Sequence, residues 1–182
     1  MNPLAHFKKP RILSLLIAPA LIVGVAFSPV SALGTPPCGA VGVNLLSPVP
    51  TAFFPSGSLD LMCNEQNLYG WKLKTKVKGD SDLYVNEVTF QPGGQSGWHS
   101  HPGPIVVTVI EGTLTVYHDD CTSETYSAGE TFTEICGDII NVRNETAAEA
   151  KDIAVQIFPH GVPTRIDEAD PGCPQVPPCP GP

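Results

Sequence analysis

PGGQSGWHSHPGP, residues 92–104, is the stretch of this 182-residue chain that decides the fold. Glycines and prolines frame two histidines, His99 and His101, which lie two positions apart. On an extended segment alternate side chains point to the same side, so both imidazoles face one way. Two neighbouring imidazoles can bind one metal ion, and His99 and His101 are therefore the candidate metal ligands.

Short strand-like segments surround this stretch on both sides. Residues 71–78 alternate strictly, with lysine at every second position, which predicts a strand with one solvated face. Further strands are predicted, separated by turns rich in Gly, Asp and Asn, over residues 83–90, 105–110, 113–118, 131–135, 139–143 and 153–158. No sustained helical period occurs, so the pattern predicts an all-β antiparallel sandwich or barrel.

Glycine and histidine positions in and after residues 92–104 recur at fixed intervals. The spacing of the first cupin motif, G(X)5HxH(X)3E(X)6G, is met by Gly93, His99, His101 and Gly112. The spacing of the second, G(X)5PxG(X)2H(X)3N, is met by Gly129, Gly137 and Asn144. The chain thus resembles the cupin superfamily over roughly residues 71–160. The resemblance implies a single-domain antiparallel double-stranded β-helix, the jelly-roll or cupin barrel.

Three positions depart from the cupin pattern. The motif glutamate falls on Ile105, the motif proline on Ile135 and the second-motif histidine on Ile140. A cupin metal normally sits on three histidines and one glutamate, so two of the four implied ligands remain. We expect Ile105 and Ile140 to face the same cavity as the two histidines. Four residues are candidates for a substitute ligand: Gln95, His118, Glu134 and Asp138.

Three functions compete on these grounds. The first is a metal-dependent enzyme of oxygenase or isomerase type, with His99 and His101 holding Fe, Mn, Ni or Zn and a small molecule as substrate. The second is a degenerate, non-catalytic cupin that binds a small ligand in its barrel, which the apolar Ile105 and Ile140 favour. The third is a structural or interaction domain that acts through its surface. No catalytic residue is assigned beyond the two metal ligands.

The first 32 residues predict export. Lys8, Lys9 and Arg11 precede an apolar run, and small residues lead up to Ala32, after which we expect cleavage of a signal peptide. The run is too short, and too interrupted by proline, to favour a membrane anchor. The predicted organisation is a signal peptide (1–32), an irregular N-terminal arm (33–70), the barrel (71–160) and a Pro-rich tail (161–182). The mature chain is expected to be secreted or periplasmic.

The charge of the mature chain limits its partners. Removal of residues 1–32 leaves 150 residues with a formal net charge of −11. Such a surface repels phosphate backbones and anionic lipid, so neither nucleic acid nor a membrane is expected as a partner. A small-molecule ligand or substrate is expected, and the sequence leaves the oligomeric state open, a dimer included.

Six cysteines in an exported chain predict disulfides. No CxxC pair occurs, which argues against a zinc ribbon. Six cysteines allow 15 connectivities, and the sequence does not choose among them. As a hypothesis we pair Cys38 with Cys63, Cys121 with Cys136, and Cys173 with Cys179.

Overall fold

The computed structural model of the protein describes residues 34–63, 70–174 and 176, all within the unit Ala32–Pro182. Over these residues the chain forms thirteen β-strands and no helix. The strands are β1 (Cys38–Asn44), β2 (Ala52–Phe54), β3 (Met62–Cys63), β4 (Leu73–Lys74), β5 (Ser81–Gln95), β6 (His99–Ser100), β7 (Ile105–Glu111), β8 (Thr113–His118), β9 (Ser123–Ser127), β10 (Thr131–Glu134), β11 (Ile140–Arg143), β12 (Ala150–Pro159) and β13 (Ile166–Asp167).

Strand β5 belongs to both layers of the barrel. Most of its length pairs antiparallel with β12, which pairs with β7, and β7 pairs with β10. At its end Gln95 pairs with Arg143 of β11, and β11 also pairs with β6 and β8. Eleven strands therefore form one antiparallel sheet that curls into a nearly closed barrel. The predicted all-β jelly-roll fold is confirmed.

Two adjacent glycines let β5 pass from one layer to the other. Gly93 has a φ of 74°, in the left-handed region where glycine carries no steric penalty. A side chain on Gly94 would come within 2.5 Å of the carbonyl oxygen of Gly39, so only glycine allows the two backbones to approach. The bend brings the residues that follow, among them His99 and His101, to the barrel interior.

Apolar side chains fill the centre of the barrel. Strand β12 shows the alternation most clearly, because every second residue from Ala150 to Phe158 is buried while the residues between them are half-buried. The buried core cluster contains Phe90, Ile105, Val107, Val109, Leu114, Val116, Phe132, Ile140, Val142, Ala150, Ala154 and Phe158. Each large apolar side chain buried here contributes about 1.5–3 kcal/mol relative to exposure.

Most predicted strands are present, but one is shorter than predicted and several strands were not predicted. The strand predicted over residues 71–78 is reduced to the two residues of β4, which pair with β3 outside the main sheet. Strand β9 was not predicted, because its sequence SETYS has four polar residues and no apolar alternation. Pairing with β8 forms this strand nonetheless, so tertiary contacts override its local pattern.

Segments on either side of the predicted barrel add strands to it. Within the predicted arm, β1 and β2 pair with β5. Within the predicted tail, β13 pairs with β6, the strand that carries His99. The boundaries of the arm, barrel and tail stay predictions, but both flanking segments contribute backbone to the sheet.

The predicted disulfide pairing is wrong. Cys121 is bonded to Cys173, with the two Cα atoms 5.3 Å apart, so Cys121–Cys136 and Cys173–Cys179 do not form. Cys63 and Cys136 are free and exposed, which excludes Cys38–Cys63. Cys38 is also disulfide-bonded. Pairing by short sequence distance failed because the C-terminal segment returns to the β8–β9 turn, where Cys173 packs with Trp98 and Tyr117.

The disulfide between Cys121 and Cys173 bears on the compartment, because such bonds persist in oxidising environments. Over the described residues no helix is long and apolar enough to cross a membrane. The predicted signal peptide, residues 1–32, lies outside the described residues and stays a prediction. The Cys121–Cys173 disulfide is therefore consistent with export to an oxidising compartment.

We expect loss of the Cys121–Cys173 bond to destabilise the domain by about 4 kcal/mol. The bond joins residues 52 positions apart, and in the chain-entropy model a closed loop of that length constrains the unfolded state by about this amount. Urea unfolding of a Cys121→Ser/Cys173→Ser variant measures the loss. A Cys63→Ser/Cys136→Ser variant is the control and should unfold like the wild type. A peptide linking Cys121 to Cys136 in a non-reducing digest would contradict the pairing.

Candidate metal centre

Two imidazoles lie side by side inside the barrel. The ring centroids of His99 and His101 are 4.7 Å apart, with the rings nearly perpendicular at 87°. His99 is buried, and the His101 side chain is only 10% exposed. Both residues line one cavity. The alternation of the extended segment after the Gly93–Gly94 bend thus brings both predicted ligands to the same place.

A backbone carbonyl fixes the orientation of each ring. Nδ1 of His99 lies 2.8 Å from the carbonyl oxygen of Gly97, and Nδ1 of His101 contacts the carbonyl oxygen of Thr164. In the tautomer that donates these bonds, Nδ1 carries the proton and Nε2 presents a free lone pair. Histidines that bind metals are commonly held this way, with the other ring nitrogen bonded to a carbonyl or carboxylate.

Burial keeps both imidazoles neutral. It lowers the pKa of His99 to about 3, with smaller contributions from the positive charge of Arg165 and from His101. The pKa of His101 is also lowered, chiefly by burial. Neutral imidazole is the form that coordinates a metal, so at pH 7 both rings are in the ligand state.

A carboxylate completes the cluster. Oε2 of Glu134 lies 3.4 Å from Nε2 of His101, and one ligand atom each from His99, His101 and Glu134 lie within 4.8 Å of one another. The Glu134 side chain is only 8% exposed. No described residue donates a hydrogen bond to its Oε2. A buried, unpartnered carboxylate oxygen beside two free imidazole nitrogens is a donor set that fits a divalent metal ion.

The register of two strands explains how Glu134 reaches the site. In the pairing of β10 with β7, Glu134 stands directly opposite Ile105, the position where the cupin motif has its glutamate. Residues opposite each other in an antiparallel pair lie on the same face, with Cβ atoms about 4.5–5.5 Å apart. The carboxylate therefore comes from the neighbouring strand, across from the position that the motif uses.

The other candidates have different surroundings. Gln95 accepts a hydrogen bond of 2.6 Å from Asn141. His118 and Asp138 line a separate depression together with Asp119 and Asp120. Ile105 lines the histidine cavity as expected. Ile140 was also expected to face this cavity, but it is not among the residues that line it. It pairs with His99 across β11 and β6 and is packed in the hydrophobic core, where it is only 1% exposed.

The cavity next to the cluster is small and has a mixed lining. Its volume is about 250 Å³, just below the range of about 300–1,000 Å³ typical of pockets for drug-sized ligands. Besides the cluster, its polar lining residues are Asn86, Ser96, Asp152, Gln156, Thr164 and Arg165. Its apolar wall includes Ala40, Val88, Phe90, Ile105, Val107, Val142 and Ala154. The space suits a small, partly polar molecule.

Three polar residues of this lining were not predicted from the sequence: Asp152, Gln156 and Arg165. Asp152 and Gln156 occupy the inward face of β12, and burial raises the pKa of Asp152 to about 7. The only hint was their alternation with Ile153, Val155 and Ile157, which face outward. Arg165 lies in the predicted tail, and no local pattern marked it as part of the cavity.

The comparisons with known proteins give a domain family. The family model described as a cupin domain matches residues 86–155. None of the curated proteins matches this chain.

Three solved structures are similar. A cupin domain from Bordetella pertussis Tohama I is 20% identical, with 69% of this chain and 97% of that chain covered and a TM-score of 0.42. Oxalate oxidase in complex with glycolate is 27% identical, with 47% and 45% covered and a TM-score of 0.41. A predicted oxalate decarboxylase from Thermotoga maritima is 17% identical, with 44% and 83% covered and a TM-score of 0.38. The chain spans about half the length of the oxalate oxidase chain.

We expect the metal-free protein to lose stability between pH 6.5 and pH 8. Burial, reinforced by Asp152, raises the pKa of Glu134 to about 8 from 4.5. Over this window the unfolded carboxyl is ionised while the folded one keeps much of its proton, so the free energy of unfolding falls as pH rises. The histidines, with lowered pKa values, act only below about pH 6.5.

Urea unfolding of chelator-treated protein measures this slope, expected to be on the order of 1 kcal/mol over the window. In Glu134→Gln the free energy of unfolding should fall less steeply with pH, because only Asp152 then contributes to the slope. Glu111→Gln removes a carboxylate that is 55% exposed and should leave the slope unchanged. Equal slopes in Glu134→Gln and wild type would contradict the burial of an ionisable Glu134.

Proposed function

The chain belongs to the cupin superfamily, and from that premise we propose that it is a metal-dependent enzyme acting on a small molecule, with His99, His101 and Glu134 as the metal ligands. One observation carries the proposal: the buried cluster of two neutral imidazoles and one unpartnered carboxylate, with ligand atoms within 4.8 Å of one another. Two histidines and one carboxylate with open positions are typical of non-haem iron sites.

Each ligand has a defined task. His99 and His101 donate Nε2, since their Nδ1 atoms are engaged by the carbonyl oxygens of Gly97 and Thr164. Glu134 supplies the negative charge that partly neutralises a divalent ion. When bound, Fe, Mn, Ni or Zn would supply Lewis acidity at its open positions, and the redox-active metals among them would also allow activation of dioxygen. Three protein ligands leave those positions free for a small molecule.

The remainder of the cavity determines what enters and how it lies. Its apolar wall keeps bulk water away from the metal ligands and strengthens electrostatic interactions there. Asp152 offers a carboxyl with an Oδ1 atom that receives no hydrogen bond from the described residues. With a pKa raised by burial to about 7, this carboxyl is suited to take or give a proton near neutral pH.

Metal titration by calorimetry tests the proposal. Chelator-treated wild type should bind one equivalent of Mn²⁺ or anaerobic Fe²⁺. His99→Ala, His101→Ala and Glu134→Gln should each lower the affinity by about 100-fold or more, since loss of outer-shell partners alone typically costs about 10–100-fold. His118→Ala is the matched control, because His118 lines a separate depression, and it should bind like the wild type.

A gain-of-function variant tests the register argument in the same assay. Ile105→Glu places a second carboxylate opposite Glu134 and should raise the metal affinity above that of the wild type. Wild-type protein that binds no divalent ion would refute the enzyme and favour a ligand-binding barrel, the reading that the apolar Ile105 supports. Full affinity in Glu134→Gln would refute the assignment of the third ligand.

A further inference from the structure

A guanidinium group lies in the wall of the histidine cavity. Arg165 lines this cavity together with His99, His101 and Glu134. Its side chain is 27% exposed, so it is largely within the protein. It lies beyond residues 86–155, the part of the chain that the cupin domain model matches. The segment after β12 therefore contributes a residue to the site.

The guanidinium is anchored on one side and free on the other. Its Nε donates to Oδ1 of Asp167 at 2.6 Å, and its Nη2 donates to the carbonyl oxygen of Ser96 at 2.8 Å. In the part of the chain that the structure describes, Nη1 donates no hydrogen bond. Arginine has five N–H donors in a planar fork, so Nη1 and one hydrogen of Nη2 remain for a ligand. Anchoring reduces the entropy that ligand binding costs.

The charges around the cavity favour an anion. A divalent ion held by two neutral imidazoles and one carboxylate keeps a net positive charge, and Arg165 adds another. Asp152 is the remaining acid of the cavity lining, and the half-exposed Asp167 pairs with the Nε of Arg165. An anionic ligand would compensate this positive charge.

We propose that Arg165 binds the carboxylate of a small acidic substrate in the cavity. The inference rests on the proposed function and names its substrate class. A planar carboxylate matches the two free edges of the guanidinium, and such pairs are among the strong hydrogen bonds of proteins. The apolar wall of Val88, Val107 and Ala154 accepts a short carbon skeleton, and the volume of about 250 Å³ limits its length.

Calorimetry with matched charged and neutral probes tests this. Mn²⁺-loaded wild type is titrated with propionate, malonate and the uncharged propionamide. We expect the carboxylates to bind and propionamide to bind at least about tenfold more weakly, because it lacks the charge that Arg165 recognises. Arg165→Met should lower carboxylate affinity at least about tenfold, Arg165→Lys should give an intermediate value, and propionamide binding should not change.

Two further variants keep the result interpretable. Lys151→Gln removes an equal charge from an exposed pair with Glu111 and should bind carboxylates like the wild type. Asp167→Asn removes one anchor of the guanidinium and should weaken carboxylate binding by a smaller factor, which provides a test if Arg165→Met does not fold. The proposal is overturned if carboxylate affinity is unchanged in both Arg165→Met and Arg165→Lys. If Arg165→Met is unfolded, unchanged carboxylate affinity in Asp167→Asn overturns it.

Failure of this proposal is distinct from failure of the metal centre. Mn²⁺ affinity is measured on every variant, and Arg165→Met should keep it, since Arg165 is not a metal ligand. Wild type that binds Mn²⁺ but neither carboxylate overturns the role of Arg165 and leaves the metal centre standing. If the wild type binds no metal but binds carboxylates through Arg165, the proposed metal-dependent enzyme is refuted and the anion site is supported.

Discussion

A carboxylate buried beside two neutral imidazoles is the constraint on which the site depends. In the metal-free protein Glu134 has an oxygen without a hydrogen-bond donor among the described residues, and burial raises its pKa to about 8. A buried polar atom without a hydrogen-bond partner costs stability, so the protein carries a local penalty here. A divalent cation would remove that penalty by binding the same oxygen. The arrangement therefore fits a metal centre better than an apolar core.

The C-terminal segment after β12 is part of the same site. The carbonyl of Thr164 engages His101, Arg165 lines the cavity, and Asp167 pairs with His99 across β13 and β6. The disulfide of Cys173 with Cys121 holds the chain a few residues further on. The covalent link thus limits how far this segment can move from the histidines. The stability of this C-terminal segment and the geometry of the metal site are consequently coupled.

The sequence predicted the barrel and half of the site, for physical reasons that particular residues illustrate. His99 and His101 were found because their spacing alone places them on one side of an extended strand. Glu134 remained one of four candidates, because the register that sets it opposite Ile105 is a tertiary property. The role of Arg165 and the Cys121–Cys173 bond were not predicted, because each depends on contacts between segments that lie far apart in the chain. Strand β9 was not predicted, because its polar residues form a strand only by pairing with β8.

The central claim is that His99, His101 and Glu134 bind one divalent ion, and a crystal structure of the zinc-loaded protein tests it most directly. Anomalous scattering at the zinc edge should give one strong peak in the barrel. The account predicts that this peak lies about 2.0–2.2 Å from Nε2 of His99, Nε2 of His101 and a carboxylate oxygen of Glu134. A peak held by other residues, or no peak in the barrel at full zinc loading, would contradict it.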